Sequence, residues 1–308
     1  MDAVAANKET DISLIYDYTR NAFVPLLEAR RAEIESYKRK TYRYGDKDRQ
    51  ELDVYYPHVT GKVPVLFFIY GGGFVQGNRV FPPPHDLAYR NVGAFFAKQG
   101  FVTVIADYRL VPHVKFPEPF EDLRDAISWV VRNAEQIDSE GQLQVDTQNI
   151  FTMSHSAGSI LLSTVVLHPT LLPHHLRSRI RGVILTGGAY EFSPEENKAM
   201  EDILLKLYGS WDDVKVKTPS PLLRNASEDV LGSFPEVFLL ASEWEPKGVI
   251  AANEAFAATL KEKLGKDIPF SLMKAHNHIS PHWALMTGEG EEWAFEVSAW
   301  VRTKYLAI

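Results

Sequence analysis

The 308-residue sequence contains no cysteine, which excludes disulfide bonds, thiolate metal sites and a cysteine nucleophile. Its first residues lack the basic stretch followed by an apolar stretch that marks a signal peptide. No apolar run approaches the roughly 20 residues that a membrane-spanning helix needs. We therefore expect a cytoplasmic protein with no membrane partner.

The sequence also lacks an excess of positive charge. The formal net charge is −7, and acidic and basic residues are mixed along the chain. Because nucleic-acid-binding domains carry a basic patch or stripe, we expect no nucleic-acid partner. Hydrophobic residues make up 45% of the chain and charged residues 24%. This composition is typical of globular proteins, and the length suffices for one large buried core.

The order of apolar segments predicts an α/β fold. Residues 42–46 and 52–56 predict a hairpin, after which buried strands alternate with helices. This alternation predicts a mostly parallel, doubly wound sheet with helices on both of its faces. The predicted strands are 65–70, 102–106, 150–153, 183–186, 237–240 and 270–273. The predicted helices are 85–99, 120–135, 157–167, 197–208, 249–264 and 292–304.

Two segments stand outside this alternation. Residues 1–40 have a helical pattern before the first strand, and residues 190–233 form an insertion with proline-rich connections. We interpret the chain, residues 1–308, as a single domain with these segments as parts of a small helical lid. Such a lid would cover the carboxyl edge of the sheet, where doubly wound sheets bind ligands.

A serine turn is the first motif that points to chemistry. Residues 153–158 read M-S-H-S-A-G, at the end of a predicted strand and the start of a predicted helix. Small residues at Ser154 and Gly158 allow a sharp turn that exposes the hydroxyl of Ser156 above the sheet, as in the G-x-S-x-G nucleophile turn. Serine replaces the first glycine here. The alternative interpretation is a helix cap, with Ser154 at the N-cap.

A glycine-rich turn is the second motif. Residues 70–74 read Y-G-G-G-F directly after a predicted buried strand. Backbone N–H groups of Gly72 and Gly73, with that of Ala157 after the serine, predict an oxyanion hole. No Gly-Lys-Ser/Thr follows, so a nucleotide-binding P-loop is excluded. The alternative is a flexible loop.

The third motif allows a family resemblance to be stated. Residues 106–112 read A-D-Y-R-L-V-P, and 116–119 read F-P-E-P, followed by Asp122. Together with the glycine turn and the serine turn, in this order, the motifs resemble those of the hormone-sensitive-lipase-like esterases of the α/β-hydrolase superfamily. The resemblance extends from about residue 42 to the end of the chain. It implies that Ser156 is the nucleophile and that Asp107 and Arg109 have structural roles.

The resemblance also implies the other two members of a catalytic triad. The segment A-S-E-W-E-P at 241–246 corresponds to the family's acid loop and assigns Glu245 as the acid, with Glu243 as the alternative. A histidine follows the last strand, and His278 is assigned over His276. His282 is interpreted as a cap or surface residue. The two neighbouring histidines have no carboxylate at ligand spacing, so no metal is expected.

These motifs predict a serine hydrolase that cleaves a small carboxylic ester through an acyl-enzyme and needs no cofactor. We expect Tyr70, Phe74 and Trp244 to contact the substrate. Three alternatives stay open: an arylformamidase or other amidase of the same fold, a lactonase, and a catalytically inactive ligand receptor. The sequence does not determine the oligomeric state.

Overall fold

The computed structural model describes residues 1–195 and 197–307 and contains an eight-stranded sheet. The strands follow the order β1-β2-β4-β3-β5-β6-β7-β8. β1 and β2 form the predicted hairpin, β2 is antiparallel to β4, and the remaining pairs are parallel. The strands are β1 (Arg39–Arg43), β2 (Glu51–Tyr55), β3 (Lys62–Ile69), β4 (Val102–Ala106), β5 (Gln144–His155), β6 (Ile180–Thr186), β7 (Glu236–Trp244) and β8 (Phe270–Asn277).

The central strands are apolar because helices cover the sheet. Every residue of β4 is buried, and so are the last seven residues of β3. Continuous apolar runs of this kind are typical of parallel strands, which are shielded on both faces. The mostly parallel α/β-hydrolase sheet predicted from the sequence is therefore confirmed.

Fifteen α-helices lie in the part of the chain that the structure describes. They are α1 (Asp2–Ala6), α2 (Ile12–Glu28), α3 (Arg31–Ser36), α4 (Arg90–Lys98), α5 (Glu118–Arg132), α6 (Ala134–Gly141), α7 (Ala157–Leu167), α8 (His174–Arg177), α9 (Glu201–Tyr208), α10 (Trp211–Lys217), α11 (Pro219–Arg224), α12 (Glu228–Gly232), α13 (Val249–Leu264), α14 (Ser280–Ala284) and α15 (Glu292–Leu306). None of these helices has the length and apolar character needed to span a bilayer. The predicted helix at 85–99 begins later, at Arg90, because residues 85–89 form turns.

The segments outside the alternation pack against elements of the sheet's carboxyl edge. α1 contacts β8, and α2 contacts α14, the short helix that follows β8. In the insertion, α11 packs against α7 and α13. The Phe116 N–H donates to the Leu207 carbonyl at 2.7 Å, which ties the insertion to the loop before α5.

Helix α7 approaches β3 closely at Gly158. A Cβ atom at this position would lie 2.3 Å from the Ile69 carbonyl oxygen and 2.6 Å from that of Tyr70. Both obstacles are backbone atoms, which cannot rotate away. Glycine is therefore required for α7 to pack at this distance from the sheet.

We expect Gly158→Ala to lower the free energy of unfolding by about 1–3 kcal/mol, the usual cost of forcing a methyl group into a packed core. Gly232→Ala is the matched control, since its Cβ would meet no atom within 4 Å. Urea unfolding of both variants measures the effect. Equal stability of the two variants would contradict the close approach of α7.

Candidate active site

Ser156 occupies a strained turn between β5 and α7. Its backbone angles are φ 53° and ψ −122°, a conformation that residues other than glycine rarely adopt. The Ser156 N–H donates to the Thr186 carbonyl at the end of β6, at 2.9 Å. This bond fixes the turn against the neighbouring strand and leaves the partly exposed side chain above the sheet edge.

The structure brings Ser156, His278 and Glu245 together. The Ser156 hydroxyl donates to Nε2 of His278 at 2.9 Å. Nδ1 of the same ring donates to Oε2 of Glu245 at 2.5 Å. His278 follows β8 and Glu245 follows β7, so the turn after β5 meets two loops at the same edge of the sheet. This is the geometry in which an imidazole can accept the proton of a serine nucleophile.

The environment of Glu245 keeps it ionised. Burial by itself would raise the pKa of this carboxyl, but the charge and hydrogen bond of His278 outweigh burial and lower the pKa below its ordinary value. The backbone N–H of Ser242 also donates to Oε1 at 2.9 Å. A Cβ on Gly187 would lie 2.8 Å from that oxygen, so the glycine makes room for the acid.

The alternative acid and histidine lie elsewhere. Glu243 accepts the backbone N–H of Ala275 at 2.8 Å and forms an ion pair with Lys274. His276 donates from Nε2 to the Gly290 carbonyl at 2.9 Å, and its Nδ1 bonds to the Ser280 hydroxyl. Both side chains are thus engaged away from Ser156.

The glycine turn lies directly beside the serine. A Cβ on Gly71 would lie 2.9 Å from the Cβ of Ser156, so only glycine allows this approach. Gly72 and Gly73 have φ values of +125° and +61°. Within the described residues, the backbone N–H groups of Gly72, Gly73 and Ala157 donate no hydrogen bond to a backbone carbonyl. They are therefore available to an oxyanion.

Tyr70 lies beneath the glycine turn and supports it. This position corrects the expectation that Tyr70 contacts the substrate. Its side chain is completely buried, and its hydroxyl donates to Oδ1 of Asp107 at 2.5 Å and accepts from Arg49 at 2.9 Å. Arg79 pairs with Asp107 through both its backbone N–H and its guanidinium. No face of the Tyr70 ring is left for a ligand.

The expected structural roles of Asp107 and Arg109 agree with their contacts. Arg109 binds both carboxylate oxygens of Asp122 on α5, at 2.9 Å each. Among the other expected substrate contacts, Phe74 is also buried and packs on Phe120. Trp244 stays partly exposed, with the Lys8 ammonium 5.2 Å from its ring centroid.

Two further histidines form a buried cluster with His278. The ring of His155 packs at tilted angles against the rings of His278 and His282, with centroids 4.8 and 4.7 Å away. The assignment of His282 to a cap or surface position is wrong, because its side chain is buried and both ring nitrogens lack a hydrogen-bond partner among the described residues. Among all the residues that the structure describes, no set of three or more histidine, aspartate or glutamate side chains is arranged to hold a metal ion.

Comparison with known proteins agrees with this fold. The family model described as BD-FAE matches residues 52–180, which is less than half of the chain. Esterase B from Lactobacillus rhamnosis superimposes with a TM-score of 0.68 and 19% identity, and the match covers 96% of each chain. The chain has the α/β-hydrolase fold.

The curated proteins similar to this chain include esterases and a formamidase. Esterase LipC of Mycobacterium tuberculosis is 28% identical over 66% of the chain, and the chain spans about half (46%) of that protein. Kynurenine formamidase of Drosophila melanogaster is 21% identical over 77% of the chain and 73% of the relative. The resemblance to hormone-sensitive-lipase-like carboxylesterases that the motifs indicated is confirmed.

Three residues of the site, Gly71, Gly187 and His155, are not predicted from the sequence. A glycine pair directly after a buried strand, as at Gly187 and Gly188, is a local signal that the sequence does contain. The partner of His155 has no such signal. The contact of His155 with the His278 loop joins residues far apart in the sequence, and no local pattern encodes it.

The buried histidines His155, His276 and His282 predict a steep loss of stability in mild acid. Burial lowers the pKa of His155 to about 3, that of His276 to about 4 and that of His282 well below its ordinary value. In the unfolded chain these histidines bind protons below about pH 6.5, whereas in the folded protein they stay neutral. Each histidine therefore lowers the free energy of unfolding by about 1.4 kcal/mol for every pH unit below that value.

Urea unfolding between pH 7.5 and 5.0 measures this slope. The range lies above the pH at which most carboxylates titrate, so their contribution is small. His85 and His168, which also have lowered pKa values, add smaller contributions in the same direction. His282→Phe removes one titrating group and is expected to make the slope shallower. A free energy of unfolding that is constant across this range would contradict the prediction.

Proposed function

We propose that the protein hydrolyses small carboxylic esters through an acyl-enzyme on Ser156. His278 accepts the hydroxyl proton while Oγ attacks the ester carbonyl, and Glu245 stabilises the imidazolium that forms. The developing oxyanion accepts hydrogen bonds from the N–H groups of Gly72, Gly73 and Ala157. His278 then protonates the departing alcohol.

The second half of the reaction uses the same groups. Water enters where the alcohol left, and His278 removes its proton as the oxygen attacks the acyl-enzyme carbonyl. The proton returns to Ser156 as the acid product leaves. The observation that carries this proposal is the continuous pair of hydrogen bonds from Ser156 through His278 to Glu245. The chemistry described needs no cofactor.

The N-terminal segment and the 190–233 insertion are proposed to form the lid. Thr19 of α2 accepts from Asn277, the neighbour of His278, at 2.8 Å. Lys8 lies over Trp244, the neighbour of Glu245. The N-terminal segment therefore contacts the neighbours of both His278 and Glu245. A lid so close to the triad favours short acyl chains, with Trp244 as a candidate substrate contact.

Ser156→Ala is expected to lower kcat at least about 10³-fold, since removing a serine nucleophile leaves only binding and oxyanion stabilisation. The measurement is hydrolysis of p-nitrophenyl acetate, butyrate and decanoate. Ser154→Ala is the control, because that hydroxyl bonds to the Ile184 carbonyl and to Ser159 rather than to the triad. Near-normal turnover by Ser156→Ala would refute the assignment.

Glu245→Gln is expected to lower kcat about 10³- to 10⁴-fold, because an amide can hold the wrong imidazole tautomer and does not stabilise the imidazolium. Glu243→Gln is the matched control, because Glu243 lies only two residues away but binds Ala275 and Lys274. Steady-state kinetics on the same esters compare the two. Equal losses in both variants would remove Glu245 from the triad.

A formamide is the second candidate substrate, because the similarity to kynurenine formamidase covers 77% of the chain. The triad and the oxyanion donors suit either acyl group, since both reactions pass through a tetrahedral intermediate. Adding N-formylkynurenine to the ester panel separates the two activities. A kcat/KM for the formamide well above that for every ester would favour the amidase.

A further inference from the structure

His155 is the residue immediately before the proposed nucleophile, yet its side chain turns away from Ser156. Its Nε2 donates to the backbone carbonyl of His278 at 2.8 Å. A carbonyl can only accept, so the proton of the His155 ring must lie on Nε2. Burial lowers the pKa of His155 to about 3, so the ring remains neutral with this proton in place at ordinary pH.

We propose that His155 is a positioning residue that sets the location of His278 relative to Ser156. The proposal rests on the proposed function, in which His278 is the base. The contact joins the end of β5 to the loop after β8, although β6 and β7 lie between these strands. The residue before the nucleophile is thus hydrogen-bonded directly to the backbone of the base, although two strands lie between their elements in the sheet.

Other contacts fix the rest of the His278 loop but not this carbonyl. The Asn277 side chain accepts the N–H groups of Ile279 and Ser280, each at 3.0 Å. On α14, the carbonyl of His282 accepts from Asn91 at 2.7 Å. These bonds hold the turn after His278, whereas the His155 ring holds the backbone of His278 itself.

The ring of His155 is held from both sides. It lies 4.8 Å from the His278 ring and 4.7 Å from the His282 ring, centroid to centroid. His282 in turn packs 4.8 Å from Phe68 on β3. On the side away from His278, the His155 ring packs on His282 and through it on Phe68, so the bond persists only while the His278 loop stays in place.

Two replacements separate the hydrogen bond from the packing. His155→Phe keeps an aromatic ring between His278 and His282 but removes the donor. His155→Gln places an amide N–H close to the position of Nε2 and is expected to restore donation. His282→Phe is the matched control, because it makes the same change in the same cluster at a ring whose nitrogens bond to no described residue.

We expect His155→Phe to lower kcat about 10- to 100-fold with little change in KM, since a shift of about 1 Å in a reacting group costs about 10²-fold. His155→Gln is expected to recover most of the loss, and His282→Phe to keep wild-type kcat. Steady-state kinetics on the best p-nitrophenyl ester give kcat and KM. Unchanged kcat in His155→Phe, or equal losses in both phenylalanine variants, would overturn the proposal.

A second measurement is independent of turnover. The proton that His278 shares with Glu245 is expected to give a downfield imidazole N–H signal in the ¹H NMR spectrum. We expect this signal to broaden or disappear in His155→Phe and to persist in His155→Gln and His282→Phe. If the wild type hydrolyses no ester or formamide, the proposed function fails, while this signal still decides whether His155 positions His278.

Discussion

The strained backbone at Ser156 is the constraint on which the rest of the site depends. A positive φ at a serine persists only where neighbouring groups enforce it. The Thr186 carbonyl holds the Ser156 N–H from one side, and Gly71 and Gly158 allow β3 and its following turn to approach from the other. Removing space at either glycine would push the nucleophile away from its partners, because the obstructing atoms are the serine itself and backbone carbonyls.

The buried charge of Asp107 holds the glycine turn, residues 70–74, against the sheet. The carboxylate of Asp107 receives the Tyr70 hydroxyl, the Arg79 backbone N–H and the Arg79 guanidinium. A buried carboxylate is costly without such partners. Because Tyr70 directly precedes the glycine turn, the network that satisfies Asp107 also fixes where the backbone N–H groups point. Preorganised donors of this kind need no reorganisation when an oxyanion develops.

Local patterns in the sequence predicted the sheet, the serine turn and the glycine turn, each of which is encoded in a few adjacent residues. Glu245 and His278 were assigned from the family resemblance instead. The burial of His282 and the link from His155 to His278 were not predictable in this way, since they depend on how β5 and the loop after β8 meet in space. Tyr70 was misassigned for the same reason: its motif places it beside the site, but only the fold shows that its ring lies beneath the turn.

At three motif positions, Tyr70, Ser154 and Glu245, the residue differs from the one usual in the hormone-sensitive-lipase-like esterases, and such departures favour the alternative of an inactive receptor. Each of the three has a physical compensation in this structure. Tyr70 replaces a histidine and bonds to Asp107 under the oxyanion turn. Ser154 replaces a glycine, and its buried hydroxyl bonds to a carbonyl of β6. Glu245 replaces an aspartate, and its longer side chain reaches His278 while its second oxygen accepts a backbone N–H. Together these bonds keep a serine, an imidazole and a carboxylate aligned, which supports the proposed hydrolase over an inactive receptor.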